Sequence, residues 1–480
     1  MKTGFEYSRR EFLVRAGRAG ALLALAGHAG FPGPRAGDRS VDLKKTLAGI
    51  SDPEIRAGVE AAIFKNILPA AVETAYPGYF WITADGKAFG DDATWPGLDS
   101  WQMAGAYLLL GRTRLVLDYF DFVKSSQKKD GNIPFAIFPA EPKQDTSTFL
   151  RGLRYPDDIF VYKPGGREGR PAFRPYPARK WIGLFEHWVP RANPLATLGP
   201  VSFVLTGGEI ADADGSAGRL KSILPALEGA ANYLLGRKTP NGLISGSGFY
   251  TENPPRDGWD GVTQCYVVHA FRELARLFRA AGDSARADVW SRHADRLTDA
   301  FVSLFWRDDH FAEYVHIERG LVDSHGLSEV NWAAAAFGVA SDRHLSALWP
   351  RLMKEKGFWH GDMPTQTVTK PFSYETWEQG GPVPFADMSR LYDAAAMGRV
   401  WFLEATACLR MKEHRRLRES VRKVCRAGLA GGGFWYERYH AKADGTVIAQ
   451  GPKGYCEYPA ILTRIVLGNP GIFSKAEDSL

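Results

Sequence analysis

Between residues 264 and 281 the apolar side chains Val267, Val268, Phe271, Leu274, Leu277 and Phe278 fall at helical spacing. Gly282-Asp283 turns the chain, and 284–305 returns with Ala287, Trp290, Ala294, Leu297, Phe301 and Leu304 on one face. Residues 101–111 and 112–128 form a similar pair, and the pattern recurs over 330–353 and 388–427. Asp52-Pro53-Glu54 opens an earlier helix, with Asp at the N-cap and Pro in the first position. Each later pair ends in an aromatic loop: Trp306 to Phe311, Gly357-Phe358-Trp359, and Gly431 to Trp435. A helix pair cannot bury its apolar face alone, so the units must pack on one another. A solenoid is one solution and a closed toroid of hairpins is another. Loops carrying Trp, Tyr, Asp and Glu after every second helix favour the toroid, where they converge on one end as a cup. Residues 138–188 break the rhythm, being rich in Pro, Gly, Arg and Tyr, and predict an irregular or β-containing insertion.

The two ends of the chain read differently. Ser8-Arg9-Arg10-Glu11-Phe12-Leu13 is a twin-arginine pattern, the apolar run 19–26 follows, and Ala24-Leu25-Ala26 offers a cleavage site. Residues 1–30 are therefore expected to be a twin-arginine signal peptide, 31–50 a linker, 51–468 the helical domain and 469–480 a tail. The apolar run is too short to span a membrane, so no stable anchor is expected after cleavage. Export by the Tat machinery implies a periplasmic or secreted protein. The leader holds half of the formal charge of +6, and what remains is too small and dispersed to suggest nucleic acid. Cys265, Cys408, Cys425 and Cys456 form no C-x-x-C, and buried thiols are the expectation for Cys265 and Cys408. No His cluster has metal-ligand spacing, and neither metal nor cofactor is expected. G-x-S-x-G, a Walker A loop and a dinucleotide fingerprint are all missing.

The candidate chemistry lies in acids set beside aromatic rings. Arg256-Asp257-Gly258-Trp259-Asp260-Gly261 precedes one long helix, and Phe434-Trp435-Tyr436-Glu437-Arg438-Tyr439-His440 follows another. Two carboxylates facing one pocket supply an acid for a leaving oxygen and a base for water. Capping alone would account for Asp257 or Asp260, and Arg438 could simply pair with Glu437. Trp259 beside Asp260 could furnish the apolar contact that keeps an acid protonated. Glu375 and Glu378, in Tyr374-Glu375-Thr376-Trp377-Glu378, form a rival base. Asp99, in Trp95-Pro96-Gly97-Leu98-Asp99-Ser100-Trp101-Gln102, reads as a cap or a ligand for a hydroxyl.

These motifs, in this order, resemble the six-hairpin glycosidases, most closely the glycoside hydrolases of family 63, trehalases of family 37 and glucoamylases of family 15. The resemblance runs from about residue 51 to 468. Residues 95–102 look like the segment in which a Trp and an Asp grip the terminal sugar. Ser125-Ser126-Gln127 through Asp130-Gly131-Asn132-Ile133-Pro134 is similar to the Q-x-x-D-G-x-I-P turn. Gly258-Trp259-Asp260 is similar to the pair that carries the general acid. Gly380-Gly381-Pro382-Val383-Pro384 looks like G-P-V-W-P, with Pro384 in place of the Trp. Trp435-Tyr436-Glu437-Arg438-Tyr439 with Ala443-Asp444-Gly445 is similar to the segment of the general base.

The resemblance implies an all-α (α/α)6 toroid that hydrolyses a glycosidic bond with inversion, on an α-linked gluco-configured or related saccharide. Asp260 is the expected acid, with Asp257 second; Glu437 is the expected base, with Glu378 or Glu375 second. Trp95, Asp99, Trp101, Gln102, Trp259, Trp377, Trp435 and Tyr439 are the expected substrate contacts. The Tyr374–Glu378 segment also resembles the W-E motif of α-L-rhamnosidases on the same barrel. Two other classes stay open: a sugar epimerase or isomerase using His325 or His360, and a glycan-binding protein without activity.

Overall fold

A computed structural model describes residues 40–71, 95–97, 100–140, 172–173, 183–187, 194–246, 258–359, 362–370, 395–441 and 447–474. The expected leader, most of the insertion, and Asp99, Asp257, His360, Glu375, Trp377 and Glu378 lie outside the described residues.

Among the described residues, twelve principal helices alternate between two layers. The odd-numbered ones are outer: α1 (Pro53–Ala61, continued by a π turn over Ala62–Ile67), α3 (Thr113–Ser125), α5 (Ala217–Leu235), α7 (Ser284–Phe305), α9 (Asp342–Lys354) and α11 (His414–Ala430). The even-numbered ones are inner: α2 (Ser100–Leu109), α4 (Leu198–Asp214), α6 (Gly261–Ala280), α8 (Glu329–Ala336), α10 (Gly398–Met411) and α12 (Glu457–Gly468). Contacts run α2–α4–α6–α8–α10–α12, and α12 returns to α2, so the inner ring closes. Outer α1 bridges α11 and α12, which seals the first helix against the last. This is the (α/α)6 toroid, and the solenoid alternative is set aside because a solenoid has two free ends.

Position in the ring explains the composition of each helix. Every residue of α8 is buried, and α4 buries all its residues from Leu198 to Gly208. An inner helix has neighbours on all sides and needs no polar face. Outer α11 buries Leu417, Val421, Val424, Cys425 and Gly428, a stripe at helical spacing, together with Arg418, which donates to the Ile472 carbonyl. Caps fix the starts: Asp52 accepts from the Glu54 and Ile55 amides, Asp260 from Thr263, and Asp283 from Arg286. All four cysteines are buried free thiols.

Three small antiparallel sheets accompany the helices. β1 (Ala136–Ala140), β3 (Gly183–His187) and β2 (Ala172–Phe173) form one, in that order, so the insertion contains β structure. β4 (Gly258–Asp260), β5 (Tyr314–His316) and β6 (Gly320–Val322) form the second. β7 (Ala395–Met397), β8 (Tyr436–Ala441) and β9 (Val447–Lys453) form the third. β4 runs directly into α6 and β7 into α10, so the second and third sheets stand at the N-terminal end of the inner ring. No helix among the described residues is long and apolar enough to cross a membrane.

Candidate active site

The floor of the cup is built from α2. The Trp101 ring meets Tyr266 of α6 edge-on at 6.1 Å and Phe402 of α10 at 5.3 Å. Neither helix neighbours α2 in the ring, so Trp101 reaches across the barrel axis. Its indole N–H donates to Glu209 Oε1 of α4 at 2.6 Å, and Arg464 of α12 lies over its ring at 5.0 Å. Arg464 also pairs with Glu209 and donates to Gln102 Oε1 at 2.7 Å. Towards the C-terminal end of the ring, Arg276 binds Asp212 at 2.8 and 3.0 Å and also pairs with Glu273. These ion pairs lie towards the far end of the ring, away from the second and third sheets. Burial pushes the Glu209 carboxyl above its usual value, and Arg464 opposes that shift.

Asp260 is buried on the wall of that cup. Its Oδ2 accepts from the Thr263 amide at 2.9 Å and from the Thr263 hydroxyl at 2.7 Å. The capping role foreseen for it is therefore real, and it occupies one carboxylate oxygen. Six residues separate it from Tyr266, about 9 Å along the helix above the floor. Trp259 alternates to the other side of β4 and donates to Thr239 Oγ1 at 3.0 Å. The expected apolar contact between Trp259 and Asp260 is thus replaced by a bond to the loop after α5.

Glu437 is buried on β8, and Arg438 holds it, with Nε at 3.1 Å and a terminal nitrogen at 3.0 Å. A bulge on β9 lies opposite, and a Cβ at Gly451 would come within 2.7 Å of the Glu437 Cβ. Gly451 has φ +86°, so the close approach and the backbone both call for glycine there. Tyr439 packs edge-on against Tyr458 at 5.9 Å, its hydroxyl accepts from the Tyr436 amide, and burial pushes its pKa up to about 12. Trp435 goes elsewhere. It is fully buried, donates to the Val424 carbonyl at 2.9 Å and packs where a Cβ on Gly428 would stand. It locks α11 and is part of the packing, since its polar atom is already used inside the core. Trp95 meets Phe135 edge-on at 5.6 Å, before α2.

Other charged groups share this end of the ring, and of these the sequence singles out only His325, for an epimerase or isomerase. Glu457 opens α12 and pairs with Arg399 of α10 at 3.0 Å, both buried. Glu329, also buried, opens α8. An acid in the first turn of a helix reads in sequence as a partner for the helix dipole, so nothing marked these two. Buried His325 pairs through Nδ1 with Glu313, whose carbonyl accepts from Gly261 beside Asp260. Among the described residues no group of His, Cys, Asp and Glu could hold a metal ion.

Comparisons with known proteins agree with this architecture. Residues 256–410, which include Asp260 and the α6–α10 part of the ring, match the family described as "Mannosylglycerate hydrolase MGH1-like glycoside hydrolase domain". No curated protein matches the chain in sequence. Among solved structures, a mannosylglycerate hydrolase of family 63 from Thermus thermophilus, in complex with glucose, is 14% identical with TM-score 0.54, over 86% of this chain and 99% of that one. A family 78 rhamnosidase of Bacillus sp. GL1 is 15% identical with TM-score 0.55, over 86% of this chain and 35% of that one. A rhamnosidase from Klebsiella oxytoca with rhamnose bound is 11% identical with TM-score 0.52, over 86% and 64%. The chain thus spans about a third of the first rhamnosidase and just under two-thirds of the second. Residues 256–410 thus match a glycoside hydrolase domain, and the chain shares the fold of these six-hairpin glycosidases.

Proposed function

We propose that the protein hydrolyses a glycosidic bond with inversion, Asp260 acting as general acid and Glu437 as general base. The observation that carries the reading is the pairing of two buried carboxylates, from two distant motifs, at the same end of one closed helical ring. Asp260 caps α6, and β8 pairs with the strand that enters α10, two places further round the ring. At helix spacings of about 9 Å, axes two places apart in a six-membered ring lie ~16 Å from one another. Side chains reaching inward from both walls would then stand in the range of roughly 6.5–9.5 Å that leaves room for a water. Asp260 would protonate the leaving oxygen while Glu437 takes the proton of water attacking from the opposite face.

Trp101 and Gln102, on the floor, would bear against the sugar at its closed end. The α-linked mannose or glucose family of substrates is favoured by the similarity to the mannosylglycerate hydrolase, and the rhamnosidase likeness keeps α-L-rhamnosides as the second choice. The test is a screen of the mature protein on mannosylglycerate and on aryl α-mannosides, α-glucosides and α-L-rhamnosides. Proton NMR of the first product should show the anomer inverted from the substrate; retention, or isomerised sugar without cleavage, would overturn the proposal. We further propose export by the twin-arginine route, which Arg9→Lys with Arg10→Lys should block, leaving the protein in the cytoplasm.

A further inference from the structure

The third sheet is wider than its three named strands. Gln366 bridges Ala396 of β7, and Val368 bridges Ser328 on the other edge. The Thr367 amide donates to the Ala395 carbonyl at 3.3 Å, and its carbonyl accepts from the Glu329 amide at 2.8 Å. Residues 366–368 therefore bridge β7 to the start of α8, with a bend at Thr367, at the cup end of the ring. Pairing runs Gln366–Ala396–Tyr439–Ala449 across one row. Residues two apart on a strand share a face. Glu437, two before Tyr439, thus lies on the same face as Gln366, and Ser328 stands opposite Val368, just beyond the bend. Two strand spacings and two residues place Gln366 ~12 Å from the base.

Two polar atoms at this junction have no partner among the described residues: the Gln366 amide oxygen and the Ser328 hydroxyl. Each residue is 1% exposed. Buried polar groups are rarely left so, because an unmade hydrogen bond is expensive. The segment that carries Gln366 is also held under strain. Thr365 has φ +44°, a left-handed conformation unfavourable to a β-branched residue. Its hydroxyl is bound to Glu404 of α10, which Trp359 at 3.2 Å and Arg416 at 2.6 Å hold in turn. A buried network thus fixes the backbone just before Gln366, at a point where an unconstrained chain would relax.

We propose that Gln366 and Ser328 form a subsite for saccharide hydroxyls, with Gln366 on the face of the sheet that carries Glu437. An amide oxygen accepts from a sugar hydroxyl, and a serine hydroxyl both accepts and donates, so adjacent hydroxyls of a ring suit the pair. Thr365 and Glu404 are positioning residues for it. The inference rests on the saccharide-cleaving reading for the nature of its ligand, but its test does not use hydrolysis. Titration calorimetry of the full chain with D-glucose, D-mannose and L-rhamnose should show saturable binding of at least one. Gln366→Met and Ser328→Ala should each weaken it at least 10-fold, with Tm unchanged or raised, since each removes a buried polar atom that had no partner. Unchanged affinity in both variants, or no saturable binding of any of the three sugars by the wild type, would overturn the subsite. Binding that depends on Gln366 in a protein that hydrolyses no glycoside would keep the subsite and defeat the hydrolase reading.

Discussion

The ion pair beneath Trp101 makes a quantitative prediction. Arg464→Met removes the cation that faces Glu209 and the donor to Gln102. Stripping one partner from a buried pair typically costs ~3–5 kcal/mol, because the other charge stays buried and uncompensated. Glu209 keeps 25% of its side chain exposed, so a discounted ~2–3 kcal/mol is expected. An unfolding entropy of about 2.1 cal/mol/K per residue, over roughly 420 folded residues, makes that a fall of ~2–4 °C in Tm. The double variant Glu209→Gln/Arg464→Met removes both charges and should lie within ~1 kcal/mol of wild type, which gives a coupling energy of ~2 kcal/mol.

The deficit should also depend on pH. The folded Glu209 carboxyl titrates above its usual value of 4.5, raised by burial and opposed by Arg464. A raised group contributes stability below the unfolded value, and that contribution is lost as pH rises through the folded value. Without Arg464 the folded value climbs further. The deficit of Arg464→Met should therefore be small near pH 5 and grow towards pH 8. Chemical unfolding of the four proteins of the cycle at both values measures it. Strictly additive single variants, or a deficit independent of pH, would refute the claim that these charges hold the floor as a pair.

Asp260→Ala should lower stability by ~1–3 kcal/mol through loss of the cap and the Thr263 bonds, whereas Asp260→Asn, an equally good cap, should stay within ~1 kcal/mol of wild type; thermal unfolding separates them. Gly451→Ala, at φ +86° and against Glu437, should cost roughly 1–2 kcal/mol and lower kcat more than it raises KM. For His310, burial lowers the pKa but Asp323 and Asp309 more than offset it, with Arg351 opposing, so the folded value lies above 6.5. Its pairing should stabilise below pH ~6.5 and fade as pH rises through the folded value, and the wild-type advantage over Asp323→Asn in denaturant should shrink between pH 6 and 8.

Much of the architecture was legible because amphipathic helices announce themselves. The stripe from Ala287 to Phe301 and the Asp52-Pro53 start lie where the sequence puts them, although Phe305 rather than the expected Leu304 completes the stripe and Leu304 is exposed. Inner helices α4 and α12 are apolar nearly all round, so no period marked them, and the hairpin of α4 and α5 was not anticipated. The acids Asp260 and Glu437 stood out through their aromatic neighbours, yet those neighbours proved a poor guide. Trp435 and Trp259 spend their indole N–H groups on Val424 and Thr239, whereas Trp101 stands on the axis. A ring in the core and a ring under a ligand look alike until the helices close around them. Glu329, Glu457 and Gln366 had no signature at all, since their setting exists only in the folded ring.

The assignment of acid and base is tested most directly by pairing each variant with two leaving groups. On a methyl or alkyl glycoside, Asp260→Asn should lose ~10²–10⁴ in kcat/KM. On the dinitrophenyl glycoside of the same sugar, which departs without a proton, it should recover most of that loss. Glu437→Gln should be equally crippled on both, because water still lacks its base. An Asp260→Asn enzyme impaired alike on both substrates, or a Glu437→Gln enzyme that turns over either near the wild-type rate, would contradict the account.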